Sequence, residues 1–229
     1  MKKQMIILAG LLALCPLTAA ADAVSTGYMQ IGYNQPVVQT SLGNWYTDYE
    51  ITASSLGELA LQSSEVFCVE HADLNKNYAE YAFYRIDEQL DTDYGGGDAA
   101  YLDKLIQASW IATWALTSNQ TDAKTIGQLA IWHVMLGATI AETNSYYGQV
   151  MQLLYPAYNT AKEDGTYNDY VDDWLLAVNP AVTNGEIPLG VPGQNFLVKA
   201  NSPVPEPATM FLFGTGMAGL AGMIRRKRS

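Results

Sequence analysis

The sequence predicts an α+β fold, and three observations carry that expectation. Residues 26–34 and 46–53 are rich in β-branched and aromatic side chains, and residues 65–70 and 78–86 read as further strands. From residue 99 the apolar period changes: Leu102, Leu105, Ile106, Trp110, Ile111 and Trp114 recur at three- and four-residue spacing, as on a helix face. Beyond these, residues 174–178 and 195–199 look like closing strands. Strands, then helices, then strands is an α+β order rather than an alternating βαβ one.

The elements follow in chain order. Residues 1–23 begin MKKQMIILAG, with Lys2 and Lys3 before an apolar run and small residues at Ala19, Ala20, Ala21 and Ala23. That is the pattern of a secretory signal peptide, cleaved between Ala20 and Val24. The apolar run is short for a membrane anchor. A lipoprotein reading through Cys15 is weak, because bulky Leu14 precedes the cysteine and Pro16 follows it. Residues 24–200 are then one domain in size. Leu42, Gly43 and Asn44 form a turn between the first two strands. Along residues 65–70, Val66, Cys68 and Glu70 face one way and Phe67 and Val69 the other. Residues 91–98 are a Gly- and Asp-rich loop, and Asp98 can cap a helix over 99–116. Ser118, Asn119 and Gln120 break that helix. A second is expected over 122–136, stopped by Gly137, and a third over 145–155. No internal repeat is present, and residues 200–207 read as a linker.

At the far end, Ala208 to Ile224 is 17 residues without a charge. As a helix at about 1.5 Å per residue it spans a thin bilayer. Arg225, Arg226, Lys227 and Arg228 hold its end on the cytoplasmic side. Just before the span stand Val204, Pro205, Glu206 and Pro207. Residues 201–229 thus contain a Pro-Glu-Pro triplet, one apolar helix and a terminal basic cluster in that order, and they resemble the PEP-CTERM sorting signal. The resemblance implies a Gram-negative exporter, transient residence in the inner membrane, processing by an exosortase, and display at the cell surface or in an exopolysaccharide matrix.

Between the two ends lie six basic and 21 acidic residues, a net charge of −15. Such a surface repels the phosphates of nucleic acid, which is excluded as a partner. With Cys15 removed, Cys68 has no intramolecular cysteine partner. An odd thiol in an exported protein has three explanations: an intermolecular bond, a reactive group, or inert burial as a small hydrophobe.

The pattern around that thiol is Phe67-Cys68-Val69, and the second predicted helix contains Gln128-Leu129-Ala130-Ile131-Trp132. Together they resemble the thioester domains of bacterial surface proteins. The resemblance implies that Cys68 and Gln128 form an internal thioester in a β-sandwich or barrel with an inserted helical part. It also implies capture of an amine on a partner surface, a protein lysine or an amino sugar, as a stable amide. The chain would then be a single-turnover acyl donor, not an enzyme, with no cofactor. A thiolate at Cys68 attacks the Gln128 carboxamide carbon and ammonia leaves. A free cysteine has a pKa of about 8.5, so positive potential is expected nearby, and the helix start is the expected source. The same N–H groups are the expected oxyanion donors. Water competes with the amine, so Trp132, one turn after Gln128, and Phe67 are candidates for shielding; core packing explains Trp132 equally. Cys68→Ala and Gln128→Ala are each expected to abolish capture and leave the fold.

Other chemistries fit less well. His71 lies on the opposite strand face from Cys68, and His133 is well off the Gln128 face, so neither serves as the base of a cysteine hydrolase. Asp73, Asn75 and Asn77 begin like an EF-hand loop, but Tyr78 and Tyr84 stand where a glycine and a closing glutamate belong. Asp91, Asp93 and Asp98 follow no recognised ligand order. One mature cysteine and two scattered histidines make no zinc site, so no metal is implied. A different function stays open. Fifteen tyrosines and five tryptophans suit a non-covalent, glycan-binding matrix protein with Cys68 buried and inert.

Overall fold

The computed structural model describes residues 23–57, 59–70, 79–87, 90, 99–179 and 194–201. The signal segment, the aspartate-rich loop with its capping Asp98, His71, the EF-hand-like residues, and the sorting segment with its expected transmembrane helix lie outside them. Among the described residues no helix is long and apolar enough to cross a membrane.

Six antiparallel strands close into a barrel. They are β1 (Ser25–Thr40), β2 (Gly43–Ser55), β3 (Ala60–Cys68), β4 (Ala79–Arg85), β5 (Trp174–Val178) and β6 (Phe196–Asn201). Their order around the barrel is β1-β2-β3-β6-β5-β4, with β4 returning to β1. The fold is thus α+β with a barrel, the second of the two architectures that the resemblance implied. β1 and β2 are longer than the sequence predicts. Burial lapses over residues 32–37 of β1 and returns at Val38 and Thr40, and the ladder continues to a turn at Ser41 and Leu42. Its register slips between Asn34 and Val37, where Pro36 has no N–H for the ladder. β6 takes in Ala200 and Asn201, so the strand includes the first residues assigned to the linker.

Strand alternation divides the buried side chains into two sets. Cys68 is paired with Phe196, which with Tyr49, Val66, Tyr81 and Phe83 faces the lumen. Phe67, Leu197, Leu176 and Trp174 face outward onto the helices. This double burial explains the nearly continuous apolar run Val66-Phe67-Cys68-Val69.

Two helices cover that outer face. Helix α1 (Ala99–Thr117) is tied to β5 by Trp174 Nε1 donating to Thr113 Oγ1 at 2.9 Å. Helix α2 (Ala123–Leu136) begins after Asp122, whose left-handed backbone ends the intervening turn without a side-chain cap. It stops at Gly137 (φ 67°), whose N–H bonds His133 O, while Ala138 N–H bonds Trp132 O. A side chain at residue 127 would put a Cβ 2.6 Å from Ala115 Cβ, so Gly127 sets how closely the two helices approach. The third expected helix is longer and interrupted. It runs as α3 (Tyr147–Gln152), a wide turn at Leu153–Ala157, and α4 (Tyr158–Glu163). Pro156 within the turn cannot donate the regular helical bond, and the backbone widens around it.

Candidate functional site

The barrel has a gap, and α2 fills it. β2 and β3 pair at Tyr49–Val66 and Glu50–Glu65 and then part. Thr47, two residues before Tyr49, turns instead to α2, with Oγ1 3.2 Å from Thr125 Oγ1. Lys124 forms ion pairs with Glu65 on β3 and Asp48 on β2, bracing the helix start across the gap. One turn further along α2, Gln128 reaches the exposed edge of β3.

There the Gln128 carboxamide takes the place of a neighbouring strand. Cys68 N–H donates to Gln128 Oε1 (2.9 Å), and Gln128 Nε2 donates to Cys68 O (2.7 Å). Both residues are fully buried. The two residues that the sequence singled out, 60 positions apart, are therefore in direct contact through the main chain of one and the side chain of the other. The bond from Cys68 N–H to Oε1 has a chemical use. Negative charge developing on that oxygen during attack at the carboxamide carbon meets a donor already in place. This differs from the sequence expectation: the donor is the cysteine's own amide, not the start of α2.

The sulfur lies among partners on three sides. Its thiol donates to Glu70 O (2.8 Å) and it accepts from Gln194 Nε2 (2.6 Å), while the nearby Trp132 indole favours the thiolate. The expected positive potential is not what surrounds it. Burial pushes the thiol pKa up to about 12, and these hydrogen bonds only partly oppose that rise. The Glu70 charge adds to the increase, as its place on the same strand face suggested. Glu70 is itself shifted, to about 7, by burial, against a hydrogen bond from Asn195 Nδ2 to Oε1 (2.7 Å).

The two shielding candidates differ in position. Trp132 is 3% exposed and touches the sulfur. Trp45 and Tyr49 meet it edge-on at centroid distances of 6.4 and 6.5 Å. Phe67 points to the other side of β3, where its ring packs against Trp174 at 5.9 Å, so it is part of the helix-facing core. A second cover comes from the tip of the β1–β2 hairpin, fastened to the segment after α2. Ser41 N–H donates to Thr139 O, and Thr139 N–H donates to Ser41 Oγ.

Sequence reasoning missed Gln194, Asn195 and Trp45. The pairing of Cys68 with Phe196 brings 194 and 195 beside residues 69 and 70, a register that no local pattern announces. His133 is engaged elsewhere, with Nδ1 2.9 Å from Ala138 O. A cleft of about 760 Å³ lies at the start of α2 around Gln62, Asp122 and Lys124, and Cys68 and Gln128 are not among its walls.

No curated protein matches the chain. Among solved structures, the N-terminal domain of the Streptococcus pyogenes pilus tip adhesin Cpa is similar at 10% identity and a TM-score of 0.38, over 79% of this chain and 95% of that one. Residues 203–227 match the PEP-CTERM protein-sorting motif, taking in Val204, Pro205, Glu206, Pro207, Arg225, Arg226 and Lys227. Such a motif is recognised by exosortase and implies an exported, cell-surface protein of a Gram-negative bacterium.

Proposed function

We propose that Cys68 and Gln128 form an internal thioester, and that this exported protein uses it to join itself covalently to an amine on a partner surface. The observation that carries the reading is the pair of hydrogen bonds seating the Gln128 carboxamide on the Cys68 main chain. A glutamine kept only for helix packing has no need of that arrangement. The thiol attacks the carboxamide carbon, the C–N bond breaks, and ammonia leaves with the thiol proton. A primary amine later attacks the same carbon. The C–S bond breaks, Cys68 returns as a thiol, and Gln128 holds the partner as an amide. Trp132 and the hairpin beyond it limit the access of water. The acceptor is a lysine or amino sugar, met at the cell surface or in an exopolysaccharide matrix; the sorting motif, which implies an exported cell-surface protein, supports that reading.

One observation favours a second reading. Cys68 is wholly buried with a strongly raised pKa, which also describes an inert core cysteine in a non-covalent, glycan-binding matrix protein. Intact mass separates the two. The thioester reading expects the purified mature domain to lack one ammonia and to take up methylamine. An unmodified mass, with Cys68 fully titratable as a thiol after unfolding, refutes it.

A further inference from the structure

Among the described residues, two acceptors near the sulfur have no donor: Glu70 Oε2 and Gln194 Oε1 are both buried without a hydrogen-bond partner. Gln194 is 1% exposed, and its Nε2 lies 2.6 Å from Cys68 Sγ and 3.4 Å from Glu70 O. Asn195 fixes the other Glu70 oxygen, so the carboxyl is held by one atom and open at the next. A buried acceptor left unmade bears its full desolvation penalty. Two of them around one thiol suit a ligand with several N–H donors. A small cavity of about 10 Å³ lies against the hairpin tip, with Leu42, Trp45, Trp132 and Glu70 among its walls. Its tryptophan rings can face a cation.

We propose that Glu70 and Gln194 form the amine subsite of the thioester. Gln194 Oε1 orients an N–H of the incoming primary ammonium, and the Glu70 carboxylate takes a proton from it. This rests on the thioester reading and adds the group that makes the amine nucleophilic. The free amine attacks the Gln128 acyl carbon of the thioester, a C–N bond forms and the C–S bond breaks. Of the two protons that the ammonium gives up, one ends on Glu70 and one on the departing Cys68 sulfur. Glu70 then releases its proton to solvent. The reverse path carries ammonia away when the thioester forms, so one subsite serves both steps.

The titratable groups that face Glu70 and the sulfur are Cys68 on β3, Tyr101 on α1, and Tyr49 and Tyr81 in the lumen. The phenols are held neutral by burial, which leaves Glu70 to set the pH dependence near neutrality.

The test is the rate of methylamine capture against pH in the intact protein, by mass, with thioester content measured first. A base at Glu70 gives a rate that rises with pH and levels off above about 7. A rate that keeps climbing about tenfold per pH unit through 9 overturns the proposal, because only free methylamine is then reacting. Glu70→Gln should slow methylamine roughly tenfold or more at pH 7 and leave hydroxylamine, already neutral there, within about twofold. Equal methylamine rates in Glu70→Gln and the unsubstituted protein also overturn it. If the variant does not fold, the pH profile of the unsubstituted protein decides alone. Parallel runs with Nα-acetyl-lysine and glucosamine identify the source of the ammonium. A protein with no ammonia missing before amine is added fails at the earlier step, the thioester itself.

Discussion

Gln128→Ala should cost far more stability than its place on a helix suggests. Removing the carboxamide leaves the Cys68 N–H and C=O buried and unpaired, since β2 has already parted from β3 at this point. Each orphaned group costs about 1–3 kcal/mol, so the loss is roughly 2–6 kcal/mol. Against a typical total of about 5–15 kcal/mol, that is a large fraction. The measurement belongs in a Cys68→Ala background, where no thioester can form and the main-chain bonds to Gln128 persist. Urea unfolding of Cys68→Ala and of Cys68→Ala/Gln128→Ala then gives the difference directly. A loss below about 0.5 kcal/mol, with unchanged m, would refute the idea that this side chain replaces a strand. The same reasoning corrects the sequence expectation that Gln128→Ala leaves the fold untouched. Cys68→Ala is the cleaner test of amine capture.

The remaining predictions concern the cross-link, a buried acid and two packing contacts. A thioester closing a 60-residue loop should stabilise the domain, by analogy with a disulfide, by about 4 kcal/mol over its opened form; denaturant midpoints before and after hydroxylamine treatment, which frees the thiol and leaves a hydroxamate on residue 128, measure this. Glu70 has its pKa raised from 4.5 to about 7 in the fold, so the folded state binds the extra proton between those values. Stability from this group is full below 4.5 and is lost as pH rises through 7, by at most about 3 kcal/mol. Glu70→Gln should flatten that part of a stability-versus-pH curve. Gly127→Ala should destabilise by about 1–3 kcal/mol in thermal or urea unfolding, because the new methyl meets Ala115. Trp174→Phe should cost about 1 kcal/mol or more through the lost bond to Thr113.

The elements that the sequence made legible are those with local causes. Helix α2 announces itself through apolar spacing and the stop at Gly137, and the break after α1 through Ser118 and Asn119. The turn at Leu153–Ala157 escaped because Pro156 ordinarily ends a helix, and here the backbone widens and continues. The contact of Cys68 with Gln128 was foreseen only by resemblance, since spacing alone cannot bring residue 68 to residue 128. The residues around the sulfur were less accessible still. Gln194 reaches it, and Asn195 reaches Glu70, through the register of β3 with β6, and Trp45 reaches Trp132 through the length of a hairpin. Both are properties of barrel closure.

Protection from water and activation of the thiol make opposite demands on this site. Complete burial keeps water from a thioester, but it also holds the Cys68 thiol neutral and its pKa near 12. A free thiolate is therefore a poor starting point at neutral pH. The arrangement resolves this if charge never separates far. The thiol already donates to Glu70 O, Oε1 of Gln128 already accepts from Cys68 N–H, and a carboxylate with one open oxygen stands in the same cluster. Proton loss from sulfur and charge gain on Oε1 can then proceed together, each step meeting a partner that is in place before the reaction begins. An inert cysteine requires only the burial. The carboxamide seated on its main chain and the two acceptors left open beside it are extra features, and the proposed thioester reaction would use both.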